Sequence, residues 1–434
     1  MCLRFCLSDK LLWLAGALGA SLLGCSSDDD SGSSSLVSEL RSDVERAPLD
    51  SPKLSAAAED LREFAWSFYH QISTVDRNQA YSPFSIATAF AMMSGAAAGN
   101  TLTQLENALE FGESGEDLHS GYNSLILSLE ALNFAGDEDR EPQHLRVSNR
   151  LWLSSDLTPQ EPWLDPLARY YGTGVQVADF AEDPDAIRQT VNDTVSDDTG
   201  GIIEELLPEH SVSASTVAIL TNALYFTAHW SQEFGAESTE PAPFETLSGG
   251  EVQAPTMHVQ GEFLYASTQE FEVVRLRFRS KELEMMVLVP SEPGTFVSTV
   301  NALDYSDLDA LRAEMEPRLV DLALPKFAVT TALGLPDELK ARGMIDIFDP
   351  ALAELPHLAP GAYISDAFHQ TSVEIDEEGA TAAAATAILG TVGGRSLAEP
   401  VELRVDRPFV FWIQAQEQDV GIPLFLGHVV DPTQ

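Results

Sequence analysis

The sequence predicts an α+β protein with one large folded domain. Three observations lead there. Early segments repeat apolar residues with the period of a helix, and later segments carry apolar runs of strand length. No fixed-period repeat or Pro/Gly/Ser-rich linker interrupts residues 54–434. At 434 residues the chain can bury a substantial core, and its 44% hydrophobic content is that of a folded protein.

The N-terminus reads as a targeting segment. Arg4 and Lys10 form a short positive head, and Leu11 to Gly24 is an apolar run ending in small residues. That is the layout of a signal peptide over residues 1–24, shorter than a membrane-spanning helix requires. It closes on Leu22-Leu23-Gly24-Cys25, which resembles a bacterial lipobox. The resemblance implies cleavage before Cys25 and acylation of that cysteine, which would hold the protein on a membrane without a span. Ser26, where some lipoproteins carry Asp, implies the outer membrane, with the cell surface, the periplasm and the extracellular space as alternatives. The polar SSDDDSGSSS that follows begins a flexible tether, assigned to residues 25–53.

In the body, Leu61, Phe64, Ala65, Phe68 and Ile72 share one helical face. A second helical run starts at Ile86, after YSPFS. Val217 to Phe226 is apolar on both faces and predicts a covered central strand. Val273 to Phe278 and Leu283 to Pro290 predict neighbouring strands, and Arg318 to Val329 another. Val401 to Gln416 and Ile422 to Pro432 predict a strand pair joined by a turn.

The formal charge is −44, with 68 acidic residues against 24 basic ones. A surface of that sign repels DNA, RNA, heparin and anionic membrane faces, and it keeps a protein soluble. The three cysteines, Cys2, Cys6 and Cys25, all precede the body. No disulfide framework, metal-thiolate site or cysteine nucleophile is therefore available in it. The nine histidines stand singly, without metal-ligand spacing. No G-x-S-x-G, H-E-x-x-H, Walker or dinucleotide fingerprint occurs. Neither a cofactor nor a metal is expected, and nothing local supports an enzyme.

One stretch is unlike the rest. From Ala380 to Gly394 there is no charge and no proline. Ala380, Ala382, Ala384, Thr386 and Ile388 would share one face of an extended strand, and Thr381, Ala383, Ala385, Ala387 and Leu389 the other. Such a strand could enter a packed sheet, where proline would remove a ladder donor and a charge would be costly. Alanine runs also favour helix, and both readings stand on these residues alone.

The surroundings of that stretch resemble a serpin. YSPFSIATAFAMMSGAAAGNT (Tyr81 to Thr101) is similar to the family's second-helix segment. VAILTNALYFTAHW is similar to its central sheet strand, and VEIDEEGATAAAATA to its hinge. LRVDRPFVFWI (Leu403 to Ile413) and FLGHVVDP (Phe425 to Pro432) resemble its C-terminal signature and closing strand. The resemblance implies helices packed on a large central mixed sheet, with smaller sheets and an exposed reactive-centre loop. It also implies suicide inhibition of serine proteases, in which the cleaved loop inserts into the sheet, a process long known for this family.

Carried over residue by residue, the hinge is Glu377, Glu378, Gly379, Ala380, Thr381, Ala382, Ala383, Ala384 and Ala385. Lys326 matches the ion-pair partner of Glu377, and Trp230 the aromatic where the loop first enters. Ser82, Ser85, Asn222 and His369 match the family's buried polar shutter. Gly394-Arg395-Ser396-Leu397 is similar to the antithrombin loop, so the reactive bond falls between Arg395 and Ser396 and the target is trypsin-like. The family's usual count of seventeen residues from Glu377 instead reaches Gly393, which leaves the Gly393–Gly394 bond as an alternative. Cleavage there or near Val392 would suit an elastase-like or subtilisin-like enzyme, and a papain-like cysteine protease is a further alternative target. With Arg395 the loop has two extra residues, roughly 7 Å of slack at strand rise, and inhibition should be less efficient. The region around EFGESGEDLH is acidic, so heparin regulation does not carry over. The remaining expectations are a monomer, no nucleic acid, and membrane contact through Cys25. A non-inhibitory serpin acting as a binding or chaperone-like module is the alternative function; the alanines of the hinge speak against it.

Overall fold

The computed structural model describes residues 36–73, 75–136, 142–280, 282–380, 399–417 and 420–434. Along the chain run β1 (Val37–Leu40), α1 (Ser51–Ile72), β2 (Gln79–Tyr81), α2 (Pro83–Ser94), α3 (Gly99–Ala108) and α4 (Gly115–Glu130). Next come β3 (His144–Ser154), α5 (Glu161–Pro166), β4 (Val175–Ala178), α6 (Pro184–Asp198) and β5 (Ala218–His229). A strand-rich stretch follows, with β6 (Glu240–Glu245), β7 (Glu251–Ser267), β8 (Phe271–Arg277) and β9 (Leu283–Pro290). After α7 (Phe296–Ala302) and α8 (Tyr305–Glu314) come β10 (Glu316–Pro325), β11 (Phe327–Gly334) and α9 (Leu335–Ala341). The chain closes with β12 (Asp366–Ile375), β13 (Gly379–Ala380), β14 (Val401–Arg404), β15 (Phe409–Glu417) and β16 (Val420–Val429). Helices concentrate early and strands late, which is the α+β class.

Two mixed sheets carry the core. The first has seven strands in the order β1-β4-β3-β5-β13-β12-β11. The second runs β14-β10-β7-β8-β9-β15-β16-β2, with β6 beside β7. The family's separate smaller sheets are here continuous. The 17-residue β7 is long enough to pair with β6 and β10 along one part and with β8 along the other.

The five apolar positions expected on one face of α1 are all buried. So is every residue of α2, which runs beneath the seven-stranded sheet and is hydrophobic all round. β5 lies in the middle of that sheet, and its apolar run is covered on both faces, by α2 on one side and by the cluster under α6 on the other.

Three boundaries differ from expectation. The tether assigned to 25–53 ends earlier, because Val37–Leu40 pairs antiparallel with Val175–Ala178 and extends the edge of the seven-stranded sheet. α1 likewise begins at Ser51, with Pro52 in its first turn, where a missing N–H costs nothing. The single strand expected from Arg318 to Val329 is two strands in different sheets. β10 stops at Pro325, which has no N–H to continue the ladder, and β11 starts at Phe327 in the other sheet. The strand expected over Val401–Gln416 also divides at Asp406-Arg407-Pro408, so that β14 pairs with β10 and β15 with β9.

Candidate functional site

The site lies along the seam between β5 and β12. Their lower halves pair directly and in parallel, from Asp366 opposite Ile219 to Thr371 opposite Leu224. Above that the seam forks. Gly379 and Ala380 sit between the two strands, with Gly379 opposite His229 and Ala380 opposite both Ala228 and Ile375. Tyr225–Thr227 and Ser372–Glu374 span the fork between these two regimes.

A tight turn delivers Gly379 to the fork. The Asp376 carboxylate accepts from the backbone N–H groups of Glu378 and Gly379, at 2.9 and 3.0 Å, in the manner of an Asx turn. The Trp230 backbone N–H donates to the Glu378 carbonyl at 2.8 Å, and its indole Nε1–H to the Asp376 carbonyl at 3.0 Å. Trp230 itself stacks on Phe278 with centroids 4.4 Å apart. At Gly379 the requirement for glycine is one of space. A Cβ there would stand 2.0 Å from the Ala228 carbonyl oxygen and 2.8 Å from the His229 Cα, both backbone. Gly379 of the hinge is thus a residue that lets two strands close on it.

Glu377 leaves the turn sideways. Its carboxylate accepts from Lys326 Nζ at 2.7 Å and from Thr239 Oγ1 at 2.7 Å. Burial alone would raise this carboxyl, but the two hydrogen bonds outweigh it and hold it below the usual range. The hydrogen bond to Glu377 raises Lys326 in turn. Lys326 occupies the one-residue joint between β10 and β11, so its backbone is fixed by the change of sheet.

Halfway down the seam a polar row crosses the sheet beneath α2. Asn149 of β3, Asn222 of β5 and His369 of β12 are direct cross-strand neighbours. The Ser82 backbone N–H donates to His369 Nε2 at 3.0 Å. Nε2 is therefore the acceptor nitrogen, and the ring proton sits on Nδ1, which faces Asn222 Oδ1. Asn222 Nδ2 donates to the Ser85 carbonyl at 2.5 Å and to Asn149 Oδ1. Ser85 Oγ donates to the same Asn149 oxygen at 3.2 Å, and the Ser85 N–H to Ser82 Oγ at 3.1 Å, capping α2. His369 is 0% and Asn222 1% exposed. Burial pushes His369 down to about 3, so it is neutral at ordinary pH.

The structure thus brings Trp230, Lys326, Glu377, Glu378, Gly379 and Ala380 together at the fork, and Ser82, Ser85, Asn222 and His369 together below it. Thr381, Ala382, Ala383, Ala384, Ala385, the candidate bonds at Gly393–Gly394 and Arg395–Ser396, and the lipidation candidate Cys25 lie outside the described residues. Sequence reasoning missed Asn149, Asp376, Thr239 and Phe278. Among the described residues no group of His, Cys, Asp or Glu is placed to hold a metal ion, and no helix is long and apolar enough to cross a membrane.

The sequence model of the Serpin family, described as serine protease inhibitor, matches residues 59–432. The chain belongs to the serpin family. It is 30% identical to human antithrombin-III over 378 residues, 85% of this chain and 80% of that one. Among solved structures it is similar to the thermophilic serpin tengpin in its native state, with a TM-score of 0.78 at 23% identity, covering 90% of this chain and 97% of tengpin. Uncleaved ovalbumin gives a TM-score of 0.78 at 25% identity, covering 87% and 100%. Protease inhibition is what the family's description names, and the seam between β5 and β12 is where this chain's seven-stranded sheet forks.

Proposed function

We propose that the protein is a suicide inhibitor of serine endopeptidases that inserts its cleaved loop between β5 and β12. The observation that carries this reading is β13: two residues of the segment already seated as the first rung of a new antiparallel strand. Continuing its register places Thr386 opposite Asn222 on one side and His369 on the other. Ala380, Ala382, Ala384, Thr386 and Ile388 then face α2, beside Ala228, Phe226, Leu224, Asn222 and Leu220, all buried. Small side chains suit that face, because the space beside Phe226 and Leu224 is limited. Insertion must break the direct pairing of His369 with Asn222, and the Thr386 hydroxyl arrives where that contact was.

In this reading the target's serine oxygen bonds to the Arg395 carbonyl carbon and the Ser396 amine leaves. The acylated segment then enters the fork with the protease attached. Arg395 suits a trypsin-like specificity pocket, with Gly393 as the alternative. The protein would act at a bacterial membrane, held by a lipidated Cys25. Incubating the chain from Ser26 onward with trypsin, elastase and subtilisin tests inhibition: an SDS-stable complex is expected, whereas loop cleavage with fully active protease would leave only a non-inhibitory role. Mass spectrometry of the released C-terminal fragment decides between Arg395 and Gly393. Metabolic labelling with palmitate, expected to disappear in Cys25→Ala, tests the anchor.

A further inference from the structure

A second feature lies on the far side of β3. β4 pairs with β3 only from Trp152 to Ser154, so no described strand covers the β3 edge from Leu145 to Arg150. Beside that edge is a cavity of about 540 Å³, walled by α2, α4 and the arm that follows β1. Its apolar wall includes Phe84, Met92, Leu129 and Leu145, all buried.

Two buried side-chain donors, one in its lining and one beside it, lack an acceptor. The hydrogen-bond row described above has a fixed direction: Ser82 N–H to His369, His369 to Asn222, Asn222 to Asn149. Asn149 must therefore present Oδ1 to the row, and its Nδ2 is left buried with no acceptor, in a residue that lines the cavity. Arg46 repeats the pattern. Its Nε donates to Asn123 Oδ1 at 2.8 Å and Nη1 lies 3.7 Å from Glu130, yet Nη2 is buried without an acceptor. Buried donors of this kind are uncommon and call for an explanation.

The charges agree. Glu130 and Asp198 at the cavity are engaged by Arg46 and Arg150. Arg41 and Arg146 also line it and make no ion pair among the described residues. Three guanidiniums, those of Arg41, Arg146 and Arg150, thus line the cavity with three carboxylates, those of Glu39, Glu130 and Asp198, an even balance on a chain with 68 acids against 24 bases. Burial lowers the Arg46 guanidinium, the Glu130 carboxylate offsets part of that, and the neighbouring positive charge of Arg41 lowers it again. An anion would relieve that repulsion, and an apolar body would fill the wall.

We propose that this cavity binds a small amphipathic anion, its apolar part against Phe84, Met92 and Leu129 and its charged head between Arg41 and Arg146. The inference stands apart from protease inhibition, since it uses neither the loop nor the fork. An occupant would abut Asn149, the outer end of the polar row that must be rearranged when the sheet opens.

The test is a fluorescence titration of the full chain with 8-anilinonaphthalene-1-sulfonate, whose fused rings and sulfonate match the two halves of the site. Saturable binding of one probe per chain is expected. Arg41→Ala combined with Arg146→Ala should weaken it by about tenfold or more, as loss of two charge-assisted contacts requires. Arg277→Ala, on the other sheet, should leave it unchanged. Both arginines are exposed, so the melting temperature without probe should not move. Absence of saturable binding, or binding that the paired substitution does not weaken, would overturn the proposal. So would equal affinity for the ring system lacking its sulfonate.

Discussion

The fork at the top of the β5–β12 seam and the polar row in its middle are held by different physics. At the fork the contacts are an ion pair whose lysine is 39% exposed, a turn closed by Asp376, and two rungs of strand. In the row Ser82, Ser85, Asn222 and His369 are buried at α2, and each hydrogen bond fixes the direction of the next. An exposed pair can part at little cost because water replaces it. A sealed row cannot part without leaving donors and acceptors bare. The difference teaches where a barrier to sheet opening should lie: at Asn222 and His369, below the fork where Gly379 and Ala380 sit.

The largest expected effect would break the comparison at the fork. Ala380 is 1% exposed between two strands. Ala380→Arg should abolish SDS-stable complex formation while loop cleavage continues, since a guanidinium cannot be buried there. Unimpaired complex formation by this variant would mean that nothing inserts along this seam.

Next comes the row. His369→Ala leaves the Ser82 N–H and Asn222 Oδ1 without partners and opens a void. A loss of roughly 2–4 kcal/mol is expected in denaturant unfolding of the uncleaved protein. Asn222→Ala should cost a similar amount. A loss under about 0.5 kcal/mol for either would remove the row as the main barrier.

A third effect depends on pH. His369 gives up its proton to be buried, so unfolding takes one up. Its contribution is complete above pH about 6.5 and declines as pH falls toward its folded value of about 3, by at most about 1.4 kcal/mol per unit. His119, held at about 4 by burial against Tyr171, adds a slope of the same sign. Replacing His369 by Gln should therefore flatten, without abolishing, the fall in stability between pH 6 and 4.

The smallest effect belongs to the exposed pair. Lys326→Met should cost no more than about 1 kcal/mol, less at high salt. A loss equal to that of His369→Ala would erase the distinction between fork and row.

Much of this site was legible before folding because its residues sit in contiguous motifs. YSPFS carries the α2 cap, and DEEGA carries the turn and its close approach. What was missed came from residues whose local context looks ordinary. Asn149 stands in SNRLWLS, where a single amide in an alternating strand reads as surface; only the pairing of β3 with β5 puts it opposite Asn222. Asp376 is one of three consecutive acids, and nothing local tells which one caps the turn. Thr239 lies 138 residues from Glu377 and meets it only through the fold.

The sequence by itself determined the α+β class, the covered central strand and the small, neutral composition of the segment after Glu377, because periodicity, burial and backbone capacity are local properties. Tertiary structure alone decided that Pro325 and Phe327 belong to different sheets, that Val37–Leu40 extends a sheet edge, and that β5 and β12 meet below but part above. Those outcomes depend on which strands become neighbours, and register between distant segments is set by the packing of the whole core rather than by any stretch of chain.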